Sequence, residues 1–132
     1  MRIAITGASG FIGRHVVREL ATREIEITVA RFGRAIPNLP FSAREVPLDI
    51  HSPVADPYSV LGKPDILLHL AWSGLPQYGS THHLEYELPA QLSFLTACVR
   101  SGIKRVVATG RCFEYGLALG EIDESQPLRP AT

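Results

Sequence analysis

The stretch that decides the fold is Thr6-Gly7-Ala8-Ser9-Gly10-Phe11-Ile12-Gly13, which separates a strand-like segment at residues 2–6 from an amphipathic one. Beyond the turn, apolar residues recur at helical spacing, at Phe11, Ile12, Val16, Val17 and Leu20. Gly7 suits a tight turn, Gly10 leaves room for a pyrophosphate, and Gly13 lets the helix lie close to the strand. Free N–H groups at the helix start favour phosphates. We therefore predict a dinucleotide-binding turn, against the alternative of a plain glycine-rich turn.

Strand-like and helix-like segments alternate along the rest of the chain, which is typical of βαβ units. We predict strands at Arg2–Thr6, Ile25–Ala30, Arg44–Leu48, Asp65–Ala71 and Lys104–Thr109. A second helix is predicted from Leu84 to Val99, with Pro89 delaying or kinking its start and Gly102 ending it. We therefore expect the α/β fold class, with a Rossmann-like doubly wound parallel sheet truncated after about five strands.

Composition and charge narrow the classes of partner. The 132 residues suit one domain, and 45% of them are hydrophobic. Thirteen basic and thirteen acidic residues give no net charge, which speaks against nucleic acid and anionic membranes. Two cysteines and the lack of an apolar run of about 18 residues favour a reduced, cytoplasmic protein with a small-molecule ligand.

The turn and several later landmarks resemble the extended short-chain dehydrogenase/reductase family, the NAD-dependent epimerases and dehydratases of nucleotide-sugar type. The landmarks, in the family's order, are Thr6-Gly7-x-x-Gly10-Phe11-Ile12-Gly13, Asp49-Ile50, His69-Leu70-Ala71, Gly102-Ile103-Lys104-Arg105-Val106-Val107 and Glu114-Tyr115-Gly116. The resemblance implies that Asp49 and Ile50 contact the adenine and that Leu70 and Ala71 lie beside the far half of the cofactor. The predicted cofactor-binding residues are Gly7, Ser9, Gly10, Phe11, Ile12, Gly13, Arg31, Arg34, Asp49, Ile50, Leu70 and Ala71.

The end of the second strand bears on the choice of nicotinamide cofactor. An NAD site places an acidic residue there, whereas this chain has Arg31, with Arg34 close behind. A guanidinium is a good partner for a 2′-phosphate, so NADP is favoured over NAD. The alternative is that both arginines are solvated loop residues.

The catalytic half of the family's pattern is altered or missing. The resemblance implies a Tyr-x-x-x-Lys base, which the chain lacks; its only lysines are Lys63 and Lys104. Arg111 stands at the family's Ser/Thr position, and Thr109 is a weak substitute. Cys112 is a structural thiol more readily than a nucleophile, and Glu87 stands where relatives carry asparagine. We expect this chain alone to be inactive.

Other residues are weaker candidates for a ligand-binding or catalytic role. Adjacent His82 and His83 do not face one point and lack a third ligand at metal spacing, so no metal site is predicted. Three aromatics near the loop after the fourth strand could line a pocket or simply pack, namely Trp72, Tyr78 and Tyr86. The helix from Leu84 to Val99 could form a homodimer face, although an ordinary core helix would show the same pattern.

Two functions follow from these predictions. Relatives continue well beyond this length, so residues 1–132 are expected to be the N-terminal part of an NAD(P)-binding Rossmann domain without the C-terminal substrate lobe. The first function is the cofactor-binding portion of a nucleotide-sugar epimerase, dehydratase or reductase, whose parent enzyme takes a nucleotide sugar. The second is a non-catalytic dinucleotide-binding module, sensory or regulatory, or an inactive truncated remnant.

Overall fold

Strands and helices alternate along the chain, and the computed structural model describes residues 1–33, 35–36, 38–116 and 120–130. In chain order the elements are β1 (Arg2–Thr6), α1 (Gly13–Leu20), β2 (Glu26–Arg31), β3 (Ala43–Pro47), α2 (Pro57–Val60), β4 (Ile66–His69), a π-helical turn (His83–Glu87), α3 (Leu88–Ser101), β5 (Val106–Ala108) and a 3-10 turn (Cys112–Tyr115). The predicted strands are confirmed to within a few residues at their ends. Sequence reasoning missed α2 and the 3-10 turn.

The five strands form one parallel sheet in the order β3-β2-β1-β4-β5. The chain moves outward from β1 through β2 to β3, then crosses back to place β4 on the other side of β1. This reversal makes the boundary between β1 and β4 the topological switch point, where open α/β sheets bind their ligands. The predicted Rossmann-like architecture is confirmed.

Each face of the sheet has its own apolar core. On one face, Ile3, Ile5 and Val29 pack with Val17 of α1. On the other face, Ala4 and Leu67 pack with residues of α3 and its flanks, namely Phe94, Cys98 and Ile103. Successive side chains of a strand point to opposite faces, so β1 contributes to both cores and fixes the sheet between its two helical layers.

Helix α3 and the π-helical turn before it bury a different face from the one that their leucines suggest. Leu84, Leu88 and Leu92 are exposed, whereas Glu87, Gln91, Phe94 and Cys98 form the buried stripe. Pro89 lies in the first turn of α3, and the π-helical turn precedes it directly. Gly102 ends the helix as predicted, at φ 122°.

Strand β5 is the edge of the sheet in the described part of the chain, since only β4 pairs with it. Val106 is 37% exposed and Val107 is 54% exposed, so this apolar strand is not covered on both faces in the way its composition suggests. Within the described residues, no helix has both the length and the apolarity that crossing a bilayer requires.

Candidate functional site

The turn between β1 and α1 contains two glycines that lie very close to neighbouring backbone atoms. Gly7 has φ 73°, and a Cβ there would lie 2.6 Å from the backbone nitrogen of Ala71. A Cβ on Gly13 would lie 2.7 Å from the Cα of Ala8. No side chain fits at either position, so Gly7 lets the turn form against the end of β4 and Gly13 lets α1 begin directly behind it.

Gly10 faces open space instead of protein. Apart from its chain neighbours, the only described atom that a Cβ there would meet within 4 Å is the carbonyl oxygen of Gly7, at 3.1 Å. The Gly10 N–H donates to that carbonyl at 3.0 Å, and the Gly10 carbonyl accepts from Arg14 at 3.1 Å. Among the described residues, no acceptor takes the N–H groups of residues 11–13. These donors at the positive end of α1 can hold an anion.

The turn opens into a cleft of about 280 Å³ at the switch point of the sheet. The predicted residues that line it are Gly7, Ser9, Gly10, Arg31, Ile50, Leu70 and Ala71. The other residues that line it are Thr6, Ala30, Phe32, Ile36, Leu48, His51, Trp72 and Ser73. This combination of apolar walls and free backbone donors fits a dinucleotide, because its rings pack against apolar walls and its phosphates accept hydrogen bonds from free backbone N–H groups.

Some predicted cofactor residues do not line this cleft. Phe11, Ile12, Gly13 and Asp49 lie outside its wall, although Phe11 to Gly13 supply the free N–H groups. Arg34 lies outside the described residues. The contacts of all these residues with a cofactor stay predictions.

A second hollow of about 460 Å³ lies on the outer side of α3, remote from the glycine turn. It is lined by Ala55, Ser93, Thr96, Ala97, Arg100 and Ser101. The N–H groups of a helix interior are used within the helix, so this wall offers side chains alone. The switch-point cleft is therefore the better candidate site.

Arg31, the residue predicted to meet a 2′-phosphate, already has a partner. Its Nε lies 2.5 Å from Oε1 of Glu45 in an ion pair that lacks hydrogen-bond geometry. A terminal guanidinium nitrogen donates to the carbonyl of Gly33. The second oxygen of Glu45 accepts the N–H of Ile36 at 3.1 Å. The positive charge at the end of β2 is therefore matched by a carboxylate from β3.

His69 is a buried, hydrogen-bonded side chain beneath the cleft. Its Nδ1 lies 2.8 Å from Oγ1 of Thr6, and its Nε2 lies 2.5 Å from Oε1 of Gln91. The Gln91 amide nitrogen donates to the carbonyl of Ala71, so Gln91 offers its oxygen to the ring. His69 therefore donates from Nε2 and accepts the Thr6 hydroxyl at Nδ1. Burial lowers the pKa of His69, which keeps the ring neutral at neutral pH.

Glu87 is fully buried next to this histidine network. Its carboxylate accepts hydrogen bonds from the hydroxyl of Ser73, from Nε2 of Gln91 at 2.7 Å and from Nε2 of His51 at 2.7 Å. Burial alone would raise the pKa of Glu87, but hydrogen bonds from Ser73, Gln91 and His51 outweigh it and lower the pKa to about 2. The residue that departs from the family's asparagine therefore connects the start of α3 to the loops after β3 and β4.

His51 closes the side of the cleft where adenine binding is predicted. Its ring stacks on Tyr86, with centroids 4.7 Å apart, and its Nδ1 lies 3.3 Å from Oδ1 of Asp49. Asp49 also accepts the His51 N–H at 2.9 Å and the Ser52 hydroxyl at 2.8 Å. Burial acts to raise the pKa of Asp49, but these hydrogen bonds prevail and lower it. Asp49 thus orients the loop, while Ile50 and His51 line the cleft.

The two predicted catalytic candidates lie away from the cleft wall. The Arg111 guanidinium lies over the rings of both Tyr78 and Phe113, at 5.1 Å and 4.9 Å from their centroids. Thr109 is exposed just beyond β5. Neither residue lines the cleft, so their catalytic roles stay predictions.

The paired histidines bind different partners. Nε2 of His82 lies 3.0 Å from the Ser73 hydroxyl, and Nδ1 of His83 accepts the indole N–H of Trp72 at 3.0 Å. Across the described residues, no group of three or more His, Cys, Asp or Glu side chains is placed to hold a metal ion. The two histidines instead hold the loop after β4 against the helix.

Comparison with known proteins agrees with this geometry. Residues 3–132 match the NAD dependent epimerase/dehydratase family. The chain belongs to this family. The resemblance inferred from the glycine turn and the later landmarks is thereby confirmed.

Relatives within the epimerase/dehydratase family include nucleotide-sugar enzymes. The dTDP-6-deoxy-L-talose 4-dehydrogenase (NAD(+)) of Aggregatibacter actinomycetemcomitans is 32% identical, over 98% of this chain and 48% of that protein. MoeE5 in complex with UDP-glucuronic acid and NAD is 31% identical, with a TM-score of 0.75, over 98% of this chain and 43% of that one. A UDP-galactose 4-epimerase is 26% identical, with a TM-score of 0.74, over 98% of this chain and 45% of that one.

The chain thus spans about half the length of these epimerase/dehydratase relatives. Family membership and fold therefore hold for this chain itself. The activity, substrate and partners of the whole protein are proposals.

Sequence reasoning missed several residues that shape the site. Glu45 and His51 come from loops or strands whose partners are distant in sequence, and neither belongs to a recognisable motif. Gln91 carried a usable signal, because it lies four residues after Glu87 on one helix face and forms a polar pair with it. Ser73 carried none.

Proposed function

We propose that this chain is the cofactor-binding portion of an NAD(P)-dependent nucleotide-sugar epimerase, dehydratase or reductase. The observation that carries the proposal is the open space at Gly10, which lies beside free N–H groups at the start of α1 and lines the switch-point cleft. Family membership supports it, as do relatives named as a dTDP-sugar dehydrogenase using NAD(+) and as MoeE5 with a UDP-sugar and NAD.

The cleft offers a place for each part of a dinucleotide. The pyrophosphate would lie against Gly10 and the N–H groups of residues 11–13. The adenine would lie near Ile50 and His51, and the far half of the cofactor near Leu70 and Ala71. When bound, the nicotinamide supplies hydride-transfer chemistry, and this chain's residues hold and orient it.

The sequence favours NADP over NAD through Arg31 and Arg34, and this preference has no support from the relatives. Among the described residues it rests on Arg31, whose charge Glu45 matches. The dTDP-6-deoxy-L-talose 4-dehydrogenase is an NAD(+) enzyme and MoeE5 was solved with NAD, which supports a nicotinamide dinucleotide without supporting a preference for NADP.

The substrate and the assembly are also proposals. A nucleotide sugar is the proposed substrate of a whole protein, since MoeE5 was solved with UDP-glucuronic acid and with UDP-glucose. The exposed apolar row of Leu84, Leu88 and Leu92 supports a homodimer through α3. A cytoplasmic location, and a substrate lobe outside residues 1–132, stay predictions.

A non-catalytic dinucleotide-binding module is the second candidate. It is favoured by Arg111, which replaces the family's hydroxyl and lies over the rings of Tyr78 and Phe113. Dinucleotide binding without turnover of nucleotide sugars by a full-length parent would favour the module, whereas turnover would favour the enzyme.

Calorimetric titration of the chain with NADH and NADPH tests the shared claim. We expect binding by the unaltered chain and none by Gly10→Val, because the new side chain would occupy the space reserved for the pyrophosphate. Gly79→Val is the matched control, since its glycine has nothing within 4 Å and does not line the cleft. Failure of the unaltered chain to bind either dinucleotide would contradict both candidate functions, and unchanged binding by Gly10→Val would reject the phosphate position.

A further inference from the structure

We propose that Glu45 cancels the preference for NADP that Arg31 would otherwise give, so that the cleft binds NAD at least as tightly as NADP. This inference rests on the proposed function, because it concerns how the same cleft distinguishes two dinucleotides. Glu45 is therefore a specificity-determining residue that acts through Arg31.

The strand register brings the two side chains together. In the parallel pairing of β2 with β3, Val29 lies opposite Glu45 and Arg31 lies opposite Pro47. Residues two apart on a strand point to the same face, so Glu45 and Arg31 are diagonal neighbours. The resulting contact joins Nε of Arg31 to Oε1 of Glu45 at 2.5 Å.

The position of this pair decides what it can do. Arg31 is the last residue of β2 and lines the cleft. The end of the second strand is where a dinucleotide-binding fold contacts the ribose of adenosine: an acidic residue accepts the 2′-hydroxyl of NAD, and an arginine accommodates the 2′-phosphate of NADP. This chain presents both charges there at once, one from β2 and the other from β3.

Electrostatics then disfavours the phosphate. A 2′-phosphate that reached Arg31 would meet a guanidinium whose charge the Glu45 carboxylate already matches, although Glu45 itself does not line the cleft. Two of the three guanidinium nitrogens of Arg31 already contact Glu45 and the Gly33 carbonyl, which leaves fewer N–H groups to bind a phosphate. The neutral hydroxyls of an NAD ribose make no such demand on Arg31.

Glu45 is itself held in place from two sides. Its Oε2 accepts the N–H of Ile36, which also lines the cleft, and its side chain is 24% exposed. A carboxylate fixed by the backbone of the loop after β2 does not swing away to release Arg31. Glu45 thus contacts two residues of the cleft wall, Arg31 and Ile36, without lining the cleft itself.

Separate titrations of NADH and NADPH into the chain and into Glu45→Gln test the inference. Glutamine keeps the shape and one acceptor for Ile36 but removes the charge, so Arg31 becomes free to bind phosphate. We expect the ratio of NADPH affinity to NADH affinity to rise about tenfold in Glu45→Gln. Glu26→Gln is the matched control, since Glu26 is exposed at the opposite end of β2 and the change in net charge is the same.

The double variant Arg31→Gln with Glu45→Gln supplies a second readout. It replaces a neutral pair by neutral amides, so the affinity ratio is expected to return to that of the unaltered chain. The inference is overturned if the unaltered chain strongly prefers NADPH, if Glu45→Gln leaves the ratio unchanged, or if the double variant loses NADPH binding selectively. Loss of binding to both dinucleotides by the unaltered chain would instead contradict the proposed function.

Discussion

Oε1 of Glu87 lies 2.7 Å from Nε2 of His51, which ties the start of α3 to the loop that follows β3. The same carboxylate accepts from Ser73 in the loop after β4. One buried side chain therefore fixes the two loops that flank the candidate cofactor cleft. Stability and the shape of the cleft should both depend on it.

Replacing Glu87 by alanine should lower the free energy of unfolding by about 3 kcal/mol, because the buried Gln91 amide, the partly buried His51 ring and the Ser73 hydroxyl would lose their acceptor. Urea unfolding monitored by circular dichroism measures this. Glu85→Ala is the matched control: Glu85 is exposed, and its loss should cost less than about 0.5 kcal/mol. Equal effects of the two substitutions would show that the buried network adds nothing to stability.

The stabilisation from Glu87 should disappear in acid. Its pKa is about 2 in the folded chain, below the ordinary 4.5, so the folded state favours the charged form. That contribution is fully present above about pH 4.5 and is lost as the pH falls towards about 2. His51 and His82, whose Nε2 atoms lie 2.7 Å and 3.8 Å from Oε1, face the carboxylate.

Unfolding free energies of the chain and of Glu87→Gln at successively lower pH measure this effect. The difference between them should narrow in the acid range, because both carry the same other carboxylates. A difference that stays constant from neutral pH to about pH 3 would contradict the lowered pKa of Glu87.

Gly7→Ala should lower the stability of the folded chain far more than Gly33→Ala. Both glycines have similar positive φ angles, 73° and 71°, so both alanines would suffer similar backbone strain of about 1 kcal/mol. Only at position 7 would the Cβ meet backbone atoms, 2.6 Å from Ala71 nitrogen, whereas position 33 has nothing within 4 Å. Thermal unfolding compares the two variants, and similar losses would mean that the turn does not press against β4.

The two cysteines should differ sharply in reactivity. Burial raises the pKa of Cys98 to about 12 and removes it from solvent, whereas Cys112 is exposed. A chromogenic disulfide should therefore label one thiol in the folded chain and both after unfolding. Cys112→Ser should abolish the labelling of the folded chain, and persistent labelling in that variant would show that Cys98 is reached.

The turn after β1 and the parallel sheet could be predicted because their signals are local. Gly7, Gly10 and Gly13 lie within one short stretch, and strand and helix periodicities flank them. Helix α3 shows the limit of this reasoning. Its leucines have helical spacing, which predicts that they face the sheet. The buried face instead contains Glu87 and Gln91, which are hydrogen-bonded to each other beneath the cleft.

The ion pairs could not be predicted, because they depend on the register of the paired strands and join residues that are far apart in the sequence. Glu45 meets Arg31 only through the pairing of β2 with β3. His51 and Glu87 lie 36 residues apart, with no motif to connect them. Helix α2 carried a signal in Asp56 and Pro57, an N-cap followed by proline, but its four residues are too few for periodicity to show.

Amide chemical-shift mapping during titration with NADH tests the central claim most directly. If the glycine turn holds the pyrophosphate, the largest shifts should fall on the N–H groups of Gly10 to Gly13, with further shifts at Ile50 and Ala71. Shifts concentrated instead on the outer side of α3, around Ser93, Thr96 and Arg100, would place the ligand in the other hollow and contradict the account.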